Sequence, residues 1–175
     1  TQTELAFRDP LTGLYNRHYL DRVLNTWTGH SGIMLDMDFF KEINDRFGHS
    51  VGDEALRETA NLLREAGPDD SIAFRFAGDE FILLLTTNRE EAIRKVEEDI
   101  KKAVEAFNRS SEQPYEISLS MGHAVFDTKE TDALNEARDD AKRNAKKAID
   151  SAMYIEKQAK HASGILKDRR HSGIQ

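Results

Sequence analysis

The chain has 175 residues, 38% of them hydrophobic and 33% charged, which is enough for one packed domain and too little for two. A net charge of -7 and a pI near 5.4 exclude a general nucleic-acid binder, because phosphate backbones are held mainly by Lys and Arg; a phosphate ligand would need a metal or a local cluster of cations. Cysteine is absent, which excludes disulfides and thiolate chemistry and fits a reducing cytosol.

In chain order, Leu20, Val23, Leu24 and Trp27 make a helical stripe, and Gly32 to Asp38 ("GIMLDMD") then reads as a short buried strand. Phe40, Ile43 and Phe47 share one face of a short helix whose polar face carries Lys41 and Asn44. After "GHSVGD" a second helix is expected to about Ala66, with Leu56, Ala60 and Leu63 inward and Gly67-Pro68 as its stop. A hairpin follows, with strands near 72–76 and 80–86 and the polar turn Ala77-Gly78-Asp79-Glu80 between them. Ile93, Val96, Ile100, Val104 and Phe107 mark a long amphipathic helix, and Tyr115, Ile117, Leu119 and Met121 alternate as a strand. From Thr131 to Lys160 an alanine row (Ala133, Ala137, Ala141, Ala145, Ala148) set in dense charge predicts a long helix docked along a narrow strip. No apolar run approaches the roughly 18 residues that span a bilayer. The expected location is therefore cytoplasmic, either for a free protein or for the cytoplasmic part of a larger, membrane-attached one. The first residue is Thr1 rather than Met, and the chain is expected to be a piece of a longer protein.

The chemistry concentrates in two places. Asp36 and Asp38 point to the same side at the end of an otherwise apolar strand, where a carboxylate is costly unless compensated. If that strand pairs with the hairpin, Asp36 comes close to Asp79. Two carboxylates held together repel, and a hard divalent cation with oxygen ligands resolves the conflict. Mg²⁺ suits the site best, since it takes one or two carboxylates and completes its shell from water and phosphate oxygens. The bland alternative is that Asp36 ends a strand and Asp79 fills a turn that favours Asp.

Five stretches together resemble the GGDEF domain of the diguanylate cyclase family: "DPLTGLYNRHYL" (Asp9 to Leu20), "LDMDFFKEINDRFGHSVGDEAL" (Leu35 to Leu56), "RFAGDEF" (Arg75 to Phe81), "SLSMGHAVF" (Ser118 to Phe126) and "IDSAMYIEK" (Ile149 to Lys157). The resemblance implies an α/β (α+β) fold, with a mainly antiparallel central sheet of about five strands wrapped by helices, akin to nucleotide cyclase and polymerase palm domains. The implied domain is 9–163, with 1–8 as the end of a linker helix, a longer charged helical segment at about 128–148 and a disordered tail at 164–175. The implied reaction condenses two GTP molecules to cyclic di-GMP and two pyrophosphates in a homodimer, each 3′-hydroxyl attacking the other's α-phosphorus. A sensory domain is implied ahead of this one.

By motif, the resemblance makes Asp36 and Asp79 metal ligands, assisted by the Met37 carbonyl, with two Mg²⁺ per site and Mn²⁺ as a substitute. Glu80 completes the acidic turn, near the second metal or near the hydroxyl. Asn44 and Asp53 read guanine, although Ser50-Val-Gly-Asp53 also looks like a capping box. The backbone amides of Phe39 and Phe40 meet the terminal phosphates, helped by Lys41 and Lys157. Arg75 steadies a carboxylate or a phosphate, or makes a plain structural ion pair. His49 reads as a structural loop residue, and Asn16 and Arg17 as architectural.

Three departures qualify the match. The turn begins Ala77-Gly78 where the family usually has Gly-Gly, so a β-carbon enters a tight turn. Lys157 is followed by His161 where Arg is usual, and neutral His lacks the fixed fork of Arg. The charged segment before Asp150 is longer than usual, which suits packing against a partner or neighbouring domain. The family's product-inhibition motif, Arg-x-x-Asp, would fall on "PDDS" (Pro68 to Ser71); neither end fits, so no such site is expected. Ala77 and His161 keep an alternative open, a non-catalytic GTP-binding regulatory domain.

Overall fold

A computed structural model describes residues 2–26, 31–125, 147, 150, 151 and 153–159. Strand β1 (Ser31–Met37) is buried along its whole length because it lies inside the sheet and is covered on both faces. The other strands are β2 (Ile72–Ala77), β3 (Glu80–Leu85) and β4 (Leu119–Val125), in the order β2-β3-β1-β4, and every neighbouring pair is antiparallel. The sheet thus has four strands among the described residues, where about five were expected.

Alternation along β1 splits the core in two. Ile33, Leu35 and Met37, with Phe81, Leu83 and Leu85, face helices α3 (Phe40–Phe47), α4 (His49–Ala66) and α5 (Glu90–Ser110). Met34, with Phe74, Ile82 and Leu84, faces Leu20 of α2 (Arg17–Thr26) and Met153 of the helical residues 153–159. Helix α1 (Gln2–Phe7) is tied on by Phe7, whose ring stacks on His18 and packs on Tyr19. The predicted apolar stripes of α3, α4 and α5 all face the core, and Gly67 ends α4 as expected. Trp27 and the alanine row up to Ala145 and at Ala148 lie outside the described residues.

Three sequence expectations are corrected. Residues His49 to Asp53 are already helix, so His49 is an exposed residue of the first turn of α4 and not a loop histidine. No side chain caps α4, so the Ser50–Asp53 capping box does not form; Gly48, at φ 94°, makes the single-residue break between α3 and α4. Strand β4 starts at Leu119 rather than at Tyr115. Tyr115 and Ile117 are buried as the alternation predicted, but the Asn108 side chain of α5 claims both backbone groups of Ile117, donating to its carbonyl and accepting from its N–H at 2.8 Å each.

Candidate active site at the end of the sheet

The hairpin β2–β3 and the tip of β1 build the acidic site together. Asp36 pairs in register with Glu80 on the β3 side and with Ser120 on the β4 side. Beyond the last paired residues, the Met37 N–H donates to the Asp79 carbonyl at 3.1 Å, fixing the acidic turn to the end of β1. Asp36, Asp79 and Glu80 are therefore brought together as expected. The Met37 side chain is buried against the Thr59 hydroxyl, which leaves only its backbone for the site.

Asp36 is 6% exposed. Lys157, from the helical residues 153–159, donates to Asp36 Oδ2, while Asp36 Oδ1 is buried with no hydrogen-bond partner. Burial lifts the Asp36 pKa to about 6; the Lys157 hydrogen bond pulls it down, and the charges of Asp79 and Glu80 push it up. Glu80 is raised as well, first by burial and then by Asp79 and Asp150. For Lys157, burial opposes the charge, but the bond to Asp36 outweighs it and holds the ammonium above its usual pKa. The three acidic side chains thus crowd together at the end of the sheet, with the Lys157 ammonium bonded to one of them.

Asp38, two residues on, is in a different situation. The Ser118 and Ser120 hydroxyls donate to its two oxygens at 2.7 Å each, and its N–H donates to the Ser118 carbonyl at 2.8 Å. These serines were not singled out from sequence; their i,i+2 spacing, one just ahead of β4 and one within it, was the available signal.

The turn itself is braced from outside. Arg75 donates to the Gly78 carbonyl at 3.0 Å and to both Asp9 oxygens at 3.1 and 3.3 Å. Asp9 also accepts from the Thr12 N–H at 2.8 Å and the Thr12 hydroxyl at 2.7 Å. Burial would raise the Asp9 carboxyl, but the Thr12 bonds and Arg75 together hold it below its ordinary value. Of the roles left open for Arg75, the structural ion pair is the one observed. Gly78 takes φ 23°, and Ala77 is exposed with no positive φ, so the extra β-carbon points at solvent without strain. A register shift between Arg75 and Ala77 absorbs the turn.

The remaining candidates line the α3–α4 corner. Phe39 takes φ 63°, the one non-glycine positive φ among the described residues, and caps α3 with no side-chain bond. A bulky residue held there costs of order 1 kcal/mol or more, and such strain tends to collect where a backbone amide must be aimed. Phe40 opens the helix behind it. Asn44 is half-buried against Gly52, where any β-carbon would collide with the Asn44 amide, so Gly52 makes the room that Asn44 occupies. Asp53 follows on the exposed side of the same turn. Lys41 is 85% exposed and pairs with Asp45 at 3.1 Å. Asn16 is architectural: it accepts from the Tyr19 N–H at 3.0 Å and donates to the Ala6 carbonyl at 3.0 Å. Arg17 lies over the Phe76 ring, 4.6 Å from its centroid. His161 lies outside the described residues.

An all-oxygen group with an orphaned buried carboxylate oxygen fits a hard divalent cation. Among the described residues no three His, Cys, Asp or Glu side chains form a cage by themselves, so such an ion would take part of its shell from water or ligand. No described helix is long and apolar enough to cross a membrane.

Comparison with known proteins points the same way. The family model "Diguanylate cyclase, GGDEF domain" matches residues 6–162. The chain is 30% identical over 174 residues to the probable diguanylate cyclase DgcT of Escherichia coli, covering 94% of this chain and 36% of that protein. It is 36% identical over 158 residues to the diguanylate cyclase DgcP of Pseudomonas aeruginosa, covering 84% and 23%. Among solved structures, the diguanylate cyclase SiaD of Pseudomonas aeruginosa, in complex with its activator SiaC, matches with a TM-score of 0.72 at 28% identity, over 90% of this chain and 60% of that one. The chain spans little more than a third of the first of these relatives and about a quarter of the second.

Proposed function

The chain belongs to the GGDEF, diguanylate cyclase family, and from that premise we propose that it condenses two GTP to cyclic di-GMP and two pyrophosphates as a homodimer, each domain presenting one GTP to the other. The buried, partnerless Asp36 Oδ1 beside Asp79 and Glu80 carries the assignment, because a folded domain has no structural use for it. Asp36, Asp79 and the Met37 carbonyl are the groups that would hold Mg²⁺ or Mn²⁺, with two ions per site. When bound, the ions neutralise phosphate charge and lower the pKa of the attacking hydroxyl.

The chain's own residues do the rest. Asn44, seated against Gly52, and Asp53 offer an amide and a carboxylate to the edge of guanine. The amides at the start of α3 donate to the terminal phosphates, with Lys41 and Lys157 adding positive charge. Glu80 receives the proton of the 3′-hydroxyl or supports the second ion. Arg75 acts by holding the turn between Asp9 and the Gly78 carbonyl, so the direction of Asp79 depends on it. Without the Arg-x-x-Asp motif at Pro68 to Ser71, turnover proceeds free of product inhibition through that site. A sensory domain ahead of α1 sets the dimer, and the domain works in the cytoplasm, where GTP is.

The test is to hold the chain as a dimer through a fused dimerising helix, add GTP and Mg²⁺, and look for cyclic di-GMP. Steady product supports the reading. Saturable GTP binding with no product over long incubation would sink it and favour a GTP-binding regulatory domain.

A further inference from the structure

Lys157 has two roles that it cannot perform at once. In the structure its ammonium is bonded to Asp36 Oδ2, one of the two carboxylates assigned to the metal. By motif the same lysine belongs to the terminal phosphates. An ammonium seated on Asp36 weakens the hold of that carboxylate on a divalent ion by like-charge repulsion, and a lysine on a phosphate leaves Asp36 bare.

We propose that Lys157 is a placeholder cation, neutralising Asp36 while the site is empty and handing that carboxylate over to the metal when a triphosphate draws the lysine away. The inference rests on the metal and phosphate assignments above and adds the exchange between them. Three observations support it. Asp36 is buried, in register with Glu80 and next to the turn that carries Asp79, so an empty site without a counter-ion would be costly. Lys157 is 32% exposed on its helical segment, so the outer end of its long side chain can swing toward solvent. Its partner uses only one oxygen for it, and Oδ1 stays unsatisfied, so the ion pair is a partial solution that a divalent ion would improve on.

The exchange has a thermodynamic consequence. Metal alone must compete with Lys157 and binds weakly; nucleotide removes the competitor and tightens metal binding, and by linkage metal tightens nucleotide binding by the same factor. Lys157 is therefore a positioning residue for the order of assembly as well as a phosphate contact. Its contribution to metal affinity in the absence of nucleotide is negative.

The experiment is a titration of the 175-residue chain with Mn²⁺ alone, read by electron paramagnetic resonance of the free ion, for the unaltered chain and for Lys157→Met, Lys157→Arg and Asp36→Asn. Removing the competing charge should tighten Mn²⁺ binding about tenfold in Lys157→Met. Lys157→Arg keeps the charge and should stay near the unaltered chain, and it keeps the comparison usable if Lys157→Met folds poorly, with Lys157→Gln then in its place. Equal or weaker Mn²⁺ binding in Lys157→Met, with Asp36→Asn still abolishing it, overturns the exchange and leaves the metal assignment standing. Mn²⁺ binding indifferent to Asp36→Asn overturns both.

Discussion

On the β4 flank of β1, charge is finished by the protein: Asp38 has both oxygens taken by serine hydroxyls, and farther along the same strand His123 lies between Glu97 at 3.0 Å and Glu90 at 2.7 Å. On the β3 flank charge is left open: Asp36 faces Glu80 across the ladder, has Asp79 nearby, and keeps one buried oxygen with no partner. The two flanks share a strand and differ in what opposes it. Ser118, just ahead of β4, and Ser120 within it offer donors, whereas the tip of β3 offers more acid. A buried carboxylate is structural where neighbours supply its donors, and it is a ligand candidate where they withhold them.

The contrast can be broken in several places. Asp79→Ala, on the open flank, should lower turnover by more than the roughly 10–100-fold that loss of an outer-shell partner costs, with the melting temperature held; steady-state product formation checks it. Asp38→Ala, on the finished flank, should act on stability instead, at about 1–3 kcal/mol for each stranded hydroxyl, read by urea unfolding. A turnover loss at full stability in that variant would erase the distinction. Asn44→Ala should relax guanine preference by about tenfold or more, seen as ATP competing better against GTP.

The smallest effect is a pH dependence. Burial works against charge on His123, but the bonds to Glu97 and then Glu90 hold it above its ordinary value. The folded state therefore binds the proton more tightly than the unfolded state. The stabilisation is fully present below the unfolded pKa of about 6.5 and is lost as pH rises through the higher folded value. With Glu90 largely exposed, His123→Gln should cost less than about 1 kcal/mol at pH 6 and less again at pH 9, in melting curves taken at both.

Much of this was legible in the sequence because it rests on periodicity. The stripes of α3, α4 and α5 and the acid-tipped hairpin follow from apolar spacing, and strand pairing alone brings Asp36 to Glu80. What stayed hidden depends on contacts distant in sequence. Arg75 meets Asp9 across 66 positions, Lys157 meets Asp36 across 121, and no local pattern encodes either pairing. The start of β4 was misread because Tyr115 and Ile117 alternate like a strand while Asn108 of α5 satisfies Ile117. The helix from His49 was read as a loop because glycines at 48 and 52 look like breakers; Gly48 is one, while Gly52 is needed within the helix to seat Asn44.

The most direct test of the open flank is the rate at which a folded, dimerised Asp36→Asn variant makes cyclic di-GMP from GTP and Mg²⁺, beside the unaltered chain. The account predicts product from the unaltered chain and a rate at least about a hundredfold lower from the variant, at an undiminished melting temperature. An Asp36→Asn variant that kept the full rate would contradict it.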